Sequence, residues 1–172
     1  FTWQGSTSSK AFTSIRFAGD NPSYTIDWGN GTTSTTYPSN VTYGDTRIYT
    51  VTITTDPGTT ITHFNCYNKG ITSFDASRCP ELVNIVLNKN PLASIDVSGC
   101  TALTALNCKD TELIHLNVDD CIALTSLHCI SALSLLELSK IDKTNLATFV
   151  ATPQTCTQEV KPQTEIDLNI ND

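Results

Sequence analysis

The sequence contains no methionine and only two tryptophans, and charge is sparse: 16% of its 172 residues are Asp, Glu, Lys or Arg. With hydrophobic content at 39%, the surface has to be built largely from Thr, Ser and Asn. What charge there is leans acidic, 17 carboxylates against 10 cations for a net −7, which speaks against binding nucleic acid or an anionic membrane by bulk electrostatics. No apolar run reaches the roughly 18 residues of a membrane helix, so no direct membrane insertion is expected. H-E-x-x-H, G-x-S-x-G, P-loop and C-x-x-C motifs are all missing. The sequence thus predicts no enzyme, no cofactor and no resident metal. No signal peptide is present either. The chain opens on Phe1 and reads as a mature or trimmed piece, so that absence is silent about where the parent protein resides.

Leucine and cysteine are absent from residues 1–60, which hold 16 threonines and 9 of the chain's 13 aromatics. Thr and aromatics suit a pleated, half-buried surface, so this composition predicts a β-sandwich. Alternation marks strands at Ala11–Phe17, Tyr24–Trp28 and Ile48–Thr54. Asn30-Gly31 predicts a tight turn, because both residue types tolerate positive φ.

Asp27-Trp28-Gly29-Asn30-Gly31, then Val41-Thr42-Tyr43-Gly44, then Tyr49-Thr50-Val51-Thr52-Ile53, resemble the D-W-G-D-G, H-x-Y and Y-T-V-T-I signature of PKD-like domains. These are small immunoglobulin-like sandwiches of bacterial surface proteins. The match departs at Asn30, where Asp is usual, and at Val41, where His is usual. The resemblance implies a spacer or cap over residues 1–58. Asp27 is then either a calcium ligand or, more simply, a carboxylate capping the turn amides. The turn Asp56-Pro57-Gly58 closes this unit, and so short a link predicts that it packs end to end on the next unit.

That second unit has an internal period of 21. Phe64, Ile85, Leu106 and Leu127 share one register; Cys66, Leu87, Cys108 and Cys129 a second; Cys79, Cys100 and Cys121 a third. A short fixed period marks a solenoid, whose coils bury their apolar edges only against one another. Four coils are predicted within residues 59–141, each with two L-x-x-L-x-L/C units, the last one residue short in its second half at Leu133–Ser139. These units resemble a leucine-rich repeat of the irregular, nested kind. The Asn-ladder position departs from that pattern: Asn90 keeps it, whereas Lys69, Thr111 and Ala132 replace it, so looser or hydrated turns are expected there. So short a coil leaves little room for helix. The predicted fold class is mainly β: an N-terminal β-sandwich plus a leucine-rich-repeat β-solenoid with few or no helices.

Seven cysteines at or near repeat positions point to packing as small hydrophobes rather than to a disulfide framework, since parallel Cβ directions on stacked coils resist bonding. Residues 142–172 are read as a C-terminal cap or the start of a truncated segment, with Thr144–Val150 a short helix capped by Thr144 and Glu165–Ile170 a strand.

With Leu and Cys inward, the first strand of each coil shows three outward columns: His63, Asn84, Ala105, Ser126; Asn65, Val86, Asn107, His128; and Tyr67, Asn88, Lys109, Ile130. Nearly uncharged, rich in amides and carrying one aromatic, this mixture suits a glycan or an extended peptide. The candidate ligand-binding residues are His63, Asn65, Tyr67, Asn84, Asn88, Asn107, Lys109 and His128; the plainer alternative is a solvated sheet face with no partner. The second face carries Ser73, Asp75, Ser77, Ser94, Asp96, Ser98, His115, Asn117, Asp119 and Glu137. Adjacent Asp75 and Asp96 raise glycosidase chemistry or a calcium site, but a flat sheet has no cleft to desolvate an acid, and a solvated acidic stripe is the simpler reading. Asn30-Gly31-Thr32 and Asn40-Val41-Thr42 match the glycosylation sequon.

By resemblance, such a pair of domains belongs to secreted or surface-anchored bacterial proteins. The leading expectation is a non-enzymatic extracellular or cell-surface module that adheres to a glycan or protein partner through the first-strand face. The alternatives are a structural spacer and an accessory domain that targets an attached enzyme.

Overall fold

A computed structural model describes residues 1–5, 10–11, 14–36, 40–129, 135–137 and 147–150. The elements are β1 (Thr2–Gln4), β2 (Lys10–Ala11), β3 (Ser14–Ala18), β4 (Tyr24–Asp27), β5 (Thr33–Ser34), β6 (Asn40–Val41), β7 (Ile48–Thr50), β8 (Thr52–Thr55), β9 (Thr60–Asn65), β10 (Ile71–Asp75), β11 (Asn84–Val86), β12 (Ser94–Asp96), β13 (Ala105–Asn107), β14 (His115–Asn117), β15 (Ser126–His128), β16 (Leu135–Glu137) and β17 (Thr148–Val150). No helix occurs among the described residues, and the fold is mainly β, with stacked coils forming a β-solenoid.

The repeat period becomes strand register. In the first-face sheet β9, β11, β13 and β15 run parallel, with Phe64, Ile85, Leu106 and Leu127 as direct neighbours. All four side chains are buried. Beyond the strands the ladder continues: the amides of Cys66, Leu87 and Cys108 donate to the carbonyls of Val86, Asn107 and His128, one coil further on, at 2.9, 2.8 and 2.8 Å. On the second face β10 and β12 pair with Ser73, Phe74 and Asp75 opposite Ser94, Ile95 and Asp96. The shortened coil is also visible. His115–Asn117 pair with Leu135–Glu137, one position short of the full period, and Ser126–His128 pair with Thr148–Val150, one position beyond it.

That last pairing corrects one expectation. Thr148–Val150 is a fifth parallel strand of the first face, not the end of a helix. The row of unpaired backbone groups on the edge of β15 outweighs the local helix preference of this segment. Ile130, Ala132, Leu133, Thr144 and the run 165–170 lie outside the described residues, as do Phe12 and Thr13 of the first expected strand.

The N-terminal segment is woven into both solenoid sheets. β3 lies antiparallel to β9 and β1 antiparallel to β10, so each face of the first coil has its open edge covered by a strand from residues 1–18. β7 continues the second-face sheet beyond β1, giving the order β12-β10-β1-β7. β4, β5 and β8 form a separate three-stranded sheet and β2 pairs with β6. Trp3, fully buried, stacks on Trp28 with ring centroids 5.8 Å apart and donates from Nε1 to the Tyr43 hydroxyl at 2.7 Å. That hydroxyl donates in turn to the Trp28 carbonyl at 2.8 Å. Burial is the main cause of the raised Tyr43 pKa, so the phenol stays protonated and the relay stays closed.

The expected Asn30-Gly31 turn is built differently. Positive φ falls on Gly29 (76°) and Gly31 (87°), not on Asn30. At Gly29 a Cβ would run into the Thr50 carbonyl oxygen, so only glycine fits. Asn30 works through its side chain, whose Oδ1 accepts from the Thr32 amide and hydroxyl at 3.1 and 2.6 Å. Asp27 Oδ1 accepts from the Gly29 amide at 2.9 Å, the turn-capping role expected of it.

Asn90 serves the turn of the preceding coil. Its buried Oδ1 accepts from the amides of Lys69, Gly70 and Ile71 at 2.9, 2.9 and 3.0 Å. Its Nδ2 donates to the carbonyls of Cys66 and Leu87 at 2.8 and 2.7 Å. The turn at Lys69 is therefore not loosened by lacking its own Asn. One coil on, Pro91 removes one turn amide and Thr111 Oγ1 supplies a donor to the Cys108 carbonyl at 2.8 Å.

The third register, Cys79, Cys100 and Cys121, sits where each coil makes two successive tight turns. Cys100 and Cys121 are buried, and their thiols donate to the carbonyls of Ala76 and Val97 in the coil before, at 3.3 and 3.6 Å. An Ala at this corner would carry no donor for those carbonyls. Cys79 belongs to the first coil, has no coil before it, and is half-buried. It helps line a cavity of about 310 Å³ between the first coil and Thr50–Ile53, together with Phe1, Phe64, Phe74, Ala76 and Leu82. Ala76 shares its register with Val97 and Val118, both buried. Ala76→Val restores the residue of the other coils and extends into this cavity. It should raise stability by about 1 kcal/mol, measured as the shift in urea midpoint. A lower midpoint would mean the space is not there.

Candidate functional site

The eight candidate residues fall into two groups. His63 and Asn84 share a row across the first face with Ala105 and Ser126; Asn65, Asn107 and His128 share the next row with Val86. All of these are partly exposed. β3 extends both rows, placing Arg16 opposite His63 and Ser14 opposite Asn65. Tyr67, Asn88 and Lys109 lie beyond the strand ends, on the turns that join the two faces. The candidates thus form a sheet face and a turn edge, side by side.

Several of them have work to do inside the fold. Asn65 Oδ1 accepts from the Tyr67 amide at 3.1 Å, and Asn107 Oδ1 accepts from the Lys109 amide at 3.2 Å. These side-chain turns close the strand ends, so the carbonyl ends of both amides are committed. His63 Nδ1 lies 3.0 Å from the Thr62 hydroxyl. His128 Nε2 is buried with no hydrogen-bond partner among the described residues. Tyr67 is 40% exposed, and the Lys89 ammonium sits 5.7 Å from its ring centroid, within cation–π range.

Sequence reading missed the rest of the turn edge. Asn68, Lys89 and Asp110 occupy equivalent places in successive turns, all left-handed, with φ of 51°, 58° and 56°. A lysine in that conformation is uncommon, whereas Asn is at home there. Lys10 Nζ donates to the Lys69 carbonyl at 2.7 Å and lies 5.4 Å from the Trp3 ring centroid, which brings a fourth ammonium to this edge. The signal in the sequence is one lysine per turn, at 69, 89 and 109, a spacing one short of the coil period, so that the lysines step diagonally from coil to coil.

The second face repeats one device. Asp75 Oδ1 accepts from the amide and hydroxyl of Ser77 at 3.0 and 2.8 Å, and Asp96 Oδ1 from those of Ser98 at 2.9 and 2.7 Å. Asn117 accepts from the Asp119 amide at 2.9 Å. The Ser77 amide, then its hydroxyl, hold the Asp75 carboxyl below the usual carboxylate range. A depressed folded pKa gives stability that is present above the unfolded pKa and fades as pH falls through the acid range. Asp75 borders the cavity beside Cys79, yet both aspartates are exposed, and no group of three or more His, Cys, Asp or Glu among the described residues is placed to hold a metal.

The thiols of Cys100, Cys108 and Cys121 are poor nucleophiles. Burial pushes Cys100 and Cys121 up to about 12 and raises Cys108 further. Cys79, though raised, is the most accessible of the described cysteines. Alkylation of the folded protein at pH 8 should modify Cys79 well before Cys66, Cys100, Cys108, Cys121 or Cys129, read by peptide mapping. Equal rates at all six would contradict the stacked packing.

Compared with protein-family models, curated proteins and solved structures, the chain matches none. The likeness to PKD-like domains and leucine-rich repeats therefore stands on the motifs quoted above.

Proposed function

We propose that this chain is a non-enzymatic binding module of a secreted or bacterial surface protein, recognising a glycan or protein partner through the first-strand face and its adjoining turn edge. In this reading residues 1–58 are a PKD-like sandwich, 59–141 an irregular leucine-rich-repeat solenoid, and 142–172 a C-terminal cap or the start of a further segment. The observation that carries it is the array itself. Registered parallel strands hold His63, Asn84, Asn107 and His128 on one face, flanked by the exposed Tyr67 ring. Amides and imidazoles on a rigid sheet make directional contacts at little entropic cost, and an exposed aromatic gives a sugar or side chain a surface to stack on.

Glycan and matrix-protein arrays test the proposal. Tyr67→Ala and Asn84→Ala, neither of which breaks a hydrogen bond described above, should each weaken a confirmed interaction by about ten-fold. Unchanged binding in both would mean the face is the wrong one. A second reading, a structural spacer, draws support from Asn65 and Asn107, whose side chains are used to close turns. It predicts no array partner at all.

A further inference from the structure

Resting on the binding-module reading, we infer that the turn edge is a site for a polyanionic glycan, one bearing carboxylate or sulfate groups. The chain as a whole is acidic, at −7, yet Lys10, Lys69, Lys89 and Lys109 gather on this edge. They are four of the seven Lys and Arg among the described residues. Asp110 and Glu112 are the only carboxylates on the same turns, so the edge is locally positive. Lys69, Lys89 and Lys109 make no ion pair among the described residues, so no carboxylate there neutralises them, although Lys89 also lies over the Tyr67 ring. Carboxylates crowd the opposite side, where Asp75 and Asp96 stand paired in register. An anion is therefore steered to one edge.

The arrangement suits a chain of anionic units better than a single ion. Coils rise by about 4.8 Å, and each turn offers one ammonium, stepped by one position. Lys89 holds this place from a left-handed residue that Asn would occupy with less strain. The same turns carry Asn68 and Asn88, whose backbones are bonded coil to coil, and the exposed Tyr67 ring under the Lys89 ammonium. Ammoniums for acid groups, amides for hydroxyls and a ring for a sugar face together make a polysaccharide binder.

Surfaces carrying polygalacturonate, heparin or neutral dextran, together with poly-glutamate as an acidic polypeptide, test this. The protein should be retained on polygalacturonate or heparin and released as salt is raised. K69Q/K89Q/K109Q should lose at least about ten-fold in affinity, and Lys89→Asn alone should weaken binding while leaving the fold intact. Arg78→Gln, on the opposite side of the coil, should change nothing. Equal retention of the triple variant, retention on poly-glutamate alone, or retention on neither anionic glycan overturns the assignment. If array binding sensitive to Tyr67→Ala persists on a neutral partner in that event, only the anionic ligand is lost and the binding module stands.

Discussion

Asn90→Leu should cost about 4 kcal/mol, close to half the stability of a typical domain. The side chain is almost the size of the residue it replaces, so the loss is not one of volume. Five backbone groups lose their partner: three amides at Lys69, Gly70 and Ile71 and two carbonyls at Cys66 and Leu87. Each buried group left unpaired costs roughly 1–3 kcal/mol, with some relief where the turn opens to water. Urea unfolding measures the change, and an unaltered slope would place it in the folded state. Thr111→Val is the contrast. It removes a single donor to the Cys108 carbonyl and should cost about 1 kcal/mol. Equal costs for the two would mean that Asn90 is one turn residue among several, not the clasp between the first two coils.

Trp3→Ala should be comparably damaging, at about 3–5 kcal/mol. Trp3 is fully buried, stacked on Trp28 and edge-on to Tyr43. Its strand also covers the edge of β10. Loosening β1 therefore exposes a ready-made pairing edge, and the variant should self-associate as well as melt early. Tyr43→Phe separates the two effects. It keeps the ring packing but leaves the Trp3 Nε1 donor and the Trp28 carbonyl without their shared hydroxyl, for about 1–2 kcal/mol and no self-association. Calorimetry with light scattering distinguishes the outcomes. A monomeric, near-native Trp3→Ala protein would show that the N-terminal strands are not what closes the first coil.

The solenoid was legible because its cause is local and repeated. Apolar residues recurring at one fixed period can all be buried only by stacking, and even the one-residue shortening at Leu133 reappears as a strand register one position short. What could not be read depends on which distant groups meet. Nothing near Asn90 says that its amide reaches back to another coil's turn, because its role is fixed by stacking rather than by neighbours in sequence. Thr144–Val150 looked helical by composition, and the open edge of β15 made Thr148–Val150 a strand. The weaving of β1, β3 and β7 into the solenoid sheets is likewise a property of edges. An alternating Thr-rich strand fits any antiparallel partner, and its sequence does not name one.

The candidate site was legible as columns and not as chemistry. Alternation put Asn65 and Asn107 outward correctly, yet an outward Asn at a strand end is as ready to cap a turn as to hold a ligand, and here both cap. Lys109 was among the columns, but its grouping with Lys69 and Lys89 was hidden for the opposite reason. They do not share a register, and they come together only when the turns are stacked.

Coils lying in register underlie both the fold and the site, and through-space proton contacts in solution test this directly. Nuclear Overhauser cross-peaks should link Phe64 to Ile85, Ile85 to Leu106 and Leu106 to Leu127, each pair one full period apart, with Leu116 to Leu136, one position closer, as the exception. Cross-strand peaks at any other regular spacing, or none between these residues, would contradict it.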